Sequence, residues 1–142
     1  MVNPSPPFEI LEHTADVGVR ARGETPAELF ENAAAGFLEI ALDRETVVER
    51  ETLRLAAEAP DREALLVNWR QEVLWLVDAE GWLPRRVTVE EISETRVAGT
   101  AYGEPRDAAR HRFRIIVKAV TYHQLSVRQQ NGLWVAEVYL DI

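Results

Sequence analysis

From residue 87 to the end the chain shows no helical period. Five short runs, 87–92, 96–103, 111–120, 122–129 and 133–140, are rich in valine, isoleucine and threonine and are separated by turn signals. Asn131-Gly132 is a hairpin turn in this reading, because both residues tolerate positive φ. Upstream the pattern differs. Phe8–Leu11 and the strictly alternating V-G-V-R-A-R of 17–22 read as strands. Thr25-Pro26-Ala27-Glu28 then forms a capping box with proline at the first helical position. Leu29, Phe30, Ala33, Ala34, Phe37, Leu38 and Ala41 follow as one apolar stripe, so a helix runs to about Ala41. Residues 46–57 read as a strand. Asp61 caps a second helix, whose wide stripe from Leu65 to Val77 predicts deep burial and which Gly81 terminates. Strand, strand, helix, strand, helix and then a run of strands predicts an α+β fold: a mostly antiparallel sheet with two amphipathic helices packed on it.

The length, 142 residues, suits a single compact domain over 8–142. Residues 1–7, with three prolines, read as a poorly ordered N-terminal arm. They have neither the basic nor the apolar region of a signal peptide, and no run approaches a membrane span, so the expected location is cytoplasmic, with no membrane contact. Cysteine is absent, which excludes disulfides, thiolate metal sites and a cysteine nucleophile. A net charge of −8 argues against a direct grip on a nucleic-acid backbone. Direct RNA binding is expected to be weak or absent. Arg85-Arg86 and the group Arg106, Arg110, Arg112 and Arg114 are expected to balance acidic neighbours.

Three places could carry chemistry. In E-H-T-A-D-V-G, residues 12–18, Glu12, His13 and Asp16 sit where one strand stops and the next begins. They suit ligation or acid–base work, and Thr14 and Asp16 equally suit an ordinary turn. At the other end, Asp141 and the α-carboxylate of Ile142 are adjacent anions. Docked in a sheet, they would repel unless a hard cation with oxygen ligands lay between them; frayed, they would be solvated. Third, K-A-V-T-Y-H at 118–123 holds Lys118, the only lysine beside fifteen arginines. His13, His111 and His123 do not have zinc-motif spacing, and no P-loop, dinucleotide fingerprint or nucleophile elbow is present. A metal-dependent phosphoesterase and a metal-free binding module or chaperone are the rival readings.

Taken together, E-H-T-A-D-V-G-V (12–19), T-P-A-E-L-F-E-N-A-A, E-A-L-L-V-N-W-R-Q-E-V-L-W-L (63–76), A-Y-G-E (101–104), His111, K-A-V-T-Y-H and the D-I ending resemble the archease family, in family order across about 8–142. The resemblance implies a non-enzymatic activator of the GTP-dependent RNA ligase of tRNA splicing. It would promote guanylylation of the ligase's active-site histidine and so multiple turnover. A chaperone or modulator role for nucleic-acid-processing proteins is also attached to the family. The implied metal site is Asp16, Asp141 and the terminal carboxylate of Ile142, with Ca2+, Mg2+ or Mn2+ as the divalent ion. His13, His123 and His111 would orient the Asp16 loop, and Lys118 would balance the carboxylates or meet the partner.

Overall fold

The computed structural model describes residues 6–12, 16–112 and 119–141, and at 12, 16, 119–124 and 141 the backbone alone. Chain order is β1 (Phe8–Glu12), β2 (Asp16–Gly23), α1 (Pro26–Ala41), a 3-10 turn (Arg44–Thr46), β3 (Glu51–Glu58), α2 (Arg62–Asp78), β4 (Trp82–Ile92), β5 (Arg96–Pro105), β6 (Ala119–Gln130) and β7 (Leu133–Asp141). The strands form two antiparallel sheets, β1-β2-β7-β6 and β3-β5-β4. The α+β reading and its two helices therefore hold, and the strands divide between two sheets.

Local chemistry sets the helix starts. The Thr25 hydroxyl accepts the Glu28 N–H at 3.1 Å, and the Glu28 carboxylate accepts the N–H of Glu24 at 3.2 Å, one residue before the cap. Asp61 accepts the Ala64 N–H at 2.8 Å and starts α2. Every residue of the predicted α1 stripe is buried. Each helix packs on strands of both sheets: α1 on β1, β2, β7 and β4, and α2 on β3, β4, β5 and β6. The core is continuous between them, joining Val19, Val138 and Leu140 of one sheet to Leu55, Val87 and Val97 of the other. Trp69 of α2 is fully buried and its indole N–H donates to the Phe30 carbonyl at 3.1 Å, tying the two helices together. Asn131 and Gly132 have φ of 54° and 81°, which is the primed turn that a two-residue hairpin needs.

Three boundaries differ from expectation. β4 begins at Trp82, not at 87, and carries irregularities between Pro84 and Arg86 and between Val89 and Glu91 that hide its alternation. The strand expected over 46–57 starts at Glu51. Before it, the Asp43 carbonyl accepts from both the backbone N–H and the hydroxyl of Thr46, which winds 44–46 into a tight turn. Of the strands expected at 111–120 and 122–129, residues 113–118 lie outside the described residues, and one strand covers Ala119–Gln130, with a register shift between Thr121 and Ser126. His111 and Arg112 lie in the preceding loop, whose turn is closed by the His111 N–H on the Asp107 carbonyl. Residues 1–5 of the expected arm lie outside the described residues. Pro7 is held: its carbonyl accepts the Arg22 N–H at 2.9 Å.

Candidate functional site

β7 lies between β2 and β6, so its last residue has a neighbour on both sides. In the register of these strands Asp141 is the Cα partner of Asp16, the first residue of β2, and of Ala119, the first of β6. Two aspartates some 125 residues apart in sequence thus occupy opposed positions in one ladder. Like charges directly opposite in an antiparallel pair are destabilising unless a proton or cation is shared between them.

The neighbouring positions show how this sheet treats its other charges. One step of two residues further along, Gly18 pairs with Tyr139. Tyr139 is buried, and a Cβ on Gly18 would come within 2.6 Å of its Cε1. The ring therefore lies on the glycine's bare backbone, and the glycine is required by that close approach. Two residues beyond, Arg20 pairs with Glu137. Arg20 bridges Glu137 at 3.1 Å and Glu9 at 3.3 Å, Arg22 reaches Glu9 at 2.9 Å, and Arg128 reaches Glu137 at 3.6 Å. The Arg22 hydrogen bond, opposed by burial and helped by Arg20, holds the Glu9 carboxyl below its ordinary value. On this face each glutamate is matched to arginines, whereas Asp16 stands opposite another acid.

A second cluster was not nominated from sequence. Glu104, near the end of β5, is only 1% exposed. Its carboxylate accepts both Arg110 terminal nitrogens at 3.0 and 2.8 Å and the Val48 N–H at 2.7 Å, and forms an ion pair with Arg50 Nε at 3.1 Å. His111 completes the set at 2.9 Å. The Asp107 N–H donates to His111 Nδ1 at 2.7 Å, so the proton of the neutral ring sits on Nε2 and donates to Glu104. Arg110, against the cost of burial and with help from the Val48 N–H and His111, holds the Glu104 carboxyl far below the usual carboxylate range. The signal available in the sequence was the glutamate of A-Y-G-E followed six and seven residues later by Arg110 and His111.

Both ring nitrogens of His111 bond within the Glu104 cluster. His123 lies in β6, in the stretch where the register shifts. His13, Lys118 and Ile142 lie outside the described residues. Among residues whose side chains are described, no group of three or more His, Asp or Glu could hold a metal ion. Of the nominated arginines, Arg86 and Arg110 meet acids as expected, Arg85 instead bonds backbone carbonyls, and Arg114 lies outside the described residues. Arg86 meets Glu49 at 2.9 Å and stacks 3.8 Å from the Tyr102 ring centroid, and Arg85 donates to the Val47 carbonyl.

α1 follows β2 and packs on it. After α1 the Asp43 N–H donates to the Arg112 carbonyl, which joins it to the loop that the Glu104 cluster holds. No helix is long and apolar enough to cross a membrane among the described residues.

Comparison with known proteins agrees across the whole chain. Residues 8–142 match the family model of the archease protein family. Protein archease of Methanopyrus kandleri is 37% identical over 139 residues, covering 96% of this chain and 99% of the relative. Protein archease of Methanosarcina mazei is 38% identical, covering 95% of each. The solution structure of Methanobacterium thermoautotrophicum protein 1598 has a TM-score of 0.78 at 34% identity, covering 96% of this chain and 99% of that one. A crystal structure of an archease from Thermotoga maritima, described there as a possible chaperone, shares the fold at a TM-score of 0.57 and 23% identity, covering 100% and 98%.

Proposed function

The chain belongs to the archease family, and from that premise we propose that it is a protein activator of the GTP-dependent RNA ligase of tRNA splicing and RNA repair. In this reading it is not itself an enzyme. It promotes guanylylation of the ligase's active-site histidine and thereby repeated turnover. The observation that supports a functional site is the register that sets Asp16 opposite Asp141. An opposed acid pair is costly in a sheet whose neighbouring charges are matched, and it fits a divalent cation with oxygen ligands. Asp16, Asp141 and the terminal carboxylate of Ile142 would hold that ion, which when bound supplies concentrated positive charge and Lewis acidity. The chain's own residues fix the site. β7 is hydrogen-bonded on both sides, and Tyr139 packed on Gly18 makes a floor that does not yield.

The test combines a binding and an activity readout. Calorimetric titration with Ca2+, Mg2+ or Mn2+ should show a site in the wild type that Asp16→Ala and Asp141→Ala lose. The same variants, and a short extension after Ile142, should abolish stimulation of multiple-turnover RNA joining while retaining the wild-type circular dichroism spectrum. Full stimulation by all three would defeat the carboxylate-site reading. The Thermotoga relative's description supports a second reading, a chaperone acting on nucleic-acid-processing proteins. That reading predicts protection of the ligase from aggregation that survives chelation.

A further inference from the structure

Trp75 is 59% exposed, the most exposed large apolar side chain among the described residues. The other tryptophans have an evident place: Trp69 and Trp82 are buried, and Trp134 is covered by Arg62 at 4.8 Å. Leaving an indole in water forfeits one of the largest burial gains available to a side chain. The ring is also held. Its N–H donates to Glu80 Oε1 at 3.2 Å, so a fixed flat surface faces solvent. On the helix surface its neighbours three or four positions away are Gln71, Glu72, Asp78 and Ala79, all exposed. From Gln71 to Gly81 the chain has three acids and no lysine or arginine. Beside them a groove of about 440 Å³ runs between α2 and β3, lined by Glu58, Gln71 and Glu72, with Arg96 held by Glu58 at 3.3 Å.

The position of this face matters as much as its chemistry. α2 begins beside Trp134, whose register partner is Gly23, at the far end of β2 from Asp16. It finishes where the Gly81 carbonyl accepts the Arg106 N–H at 2.8 Å and Trp82 pairs with Pro105. That is the border of the Glu104 loop, which α1 also meets through Asp43. Trp75 lies in the last turn of α2, on the side of that loop.

We propose that the outer face of α2, centred on Trp75, is the docking surface for a cationic segment of the partner protein, with an arginine or lysine seated on the indole. This rests on the activator reading and names the face through which it acts. A cation over an indole is attracted by the ring's quadrupole, and carboxylates around it deepen the attraction. The same carboxylates repel phosphates, so the occupant is protein and not RNA. Tryptophan anchors ringed by polar residues are where binding energy concentrates in protein interfaces.

The deciding experiment titrates the RNA ligase with wild-type protein and variants, reading direct binding by interferometry and ligase guanylylation in parallel. Trp75→Ala should raise both the dissociation constant and the half-maximal concentration by about tenfold or more, a typical hot-spot loss. Saturating protein should restore the full rate. Trp75→Phe, which keeps an aromatic face, should fall between. The double variant Glu72→Lys, Glu80→Lys should weaken binding and flatten its salt dependence. Asp16→Ala should do the reverse, binding normally and failing to stimulate. Because the indole is exposed, these variants should unfold at the wild-type denaturant midpoint, which is checked first. Affinity within threefold of wild type for Trp75→Ala, or tighter binding by the lysine variant, overturns the proposal. Wild-type protein that binds without stimulating would defeat the activator reading while the binding titration still decides the docking face. Wild-type protein that does not bind the ligase overturns both.

Discussion

Replacing Glu104 by glutamine changes one atom and removes the charge that four donors and the Arg50 ion pair share. The amide keeps one oxygen acceptor. It turns a donating nitrogen toward groups that are themselves donors, on one side Arg110 and Arg50, on the other Arg110, the Val48 N–H and His111 Nε2. The arginines reach solvent and can rehydrate. The His111 side chain is wholly enclosed and cannot. Removing one partner from a buried charge pair costs about 3–5 kcal/mol, and rehydration of the arginines lowers this to about 2–3 kcal/mol. For a domain of this size that is a fall of roughly 5–12 °C in Tm. The effect has a pH signature. The folded carboxyl is held far below its ordinary value of 4.5, so its contribution is complete above the unfolded value and drains away as pH falls toward the folded one. Urea midpoints of wild type and Glu104→Gln should differ by a constant amount between pH 7 and pH 5.5. At pH 3.5 the gap should have narrowed by about 1.4 kcal/mol, one pH unit's worth. A difference below about 0.5 kcal/mol at pH 7, or one that does not shrink in acid, would refute this account.

Two further substitutions test other parts of the structure. Gly18→Ala should force the Tyr139 ring off the backbone, since the new methyl would lie 2.6 Å from Cε1 and 3.0 Å from the Leu11 Cβ. The expected cost is about 1–3 kcal/mol in denaturant unfolding, with weakened divalent binding in the same protein, and an unchanged midpoint would contradict the contact. Arg70 is 7% exposed, its Nε finds no hydrogen-bond acceptor, and burial pulls the guanidinium down against the pull of Asp78. Arg70→Met should therefore leave the unfolding midpoint unchanged or raise it, because an apolar isostere avoids the desolvation cost. A loss above about 2 kcal/mol would show that the charge has a stabilising partner.

What was legible in the sequence follows from how local each signal is. Thr25 and Asp61 caps, the Asn131-Gly132 turn and the α1 stripe are decided within a few residues, and all appear as read. Where β4 begins was hidden because Trp82, Leu83 and Pro84 are buried in succession, next to a bulge that breaks the alternation. The division into two sheets depends on which strands pair, and pairing β2 with β7 is a contact between opposite ends of the chain that no periodicity announces. Family resemblance nominated Asp16 and Asp141 together, and the backbone places them in one register. Glu104 escaped notice because a lone glutamate after a strand looks like a solvated end. Only the fold brings Val48 and Arg50 to it from more than fifty residues away.

Natural sequences satisfy most physical rules at once, and the places that break one are where function is to be sought. This chain breaks two. Along the outer face of the four-stranded sheet Arg20, Arg22 and Arg128 answer Glu9 and Glu137, yet the ladder ends with aspartate opposite aspartate. On α2 a wide stripe is buried, yet the largest side chain of its outer face is an indole in water among acids. Each is a cost that a bound positive charge would remove, a metal ion in one case and a protein's arginine or lysine in the other. The Glu104 cluster is the opposite case, a charge matched so completely that it clamps the 104–112 loop to the residues just before β3. In the proposed activator the two kinds of place would serve different ends: acids set for a bound cation would engage the partner, and the matched Glu104 cluster would hold its own loop rigid.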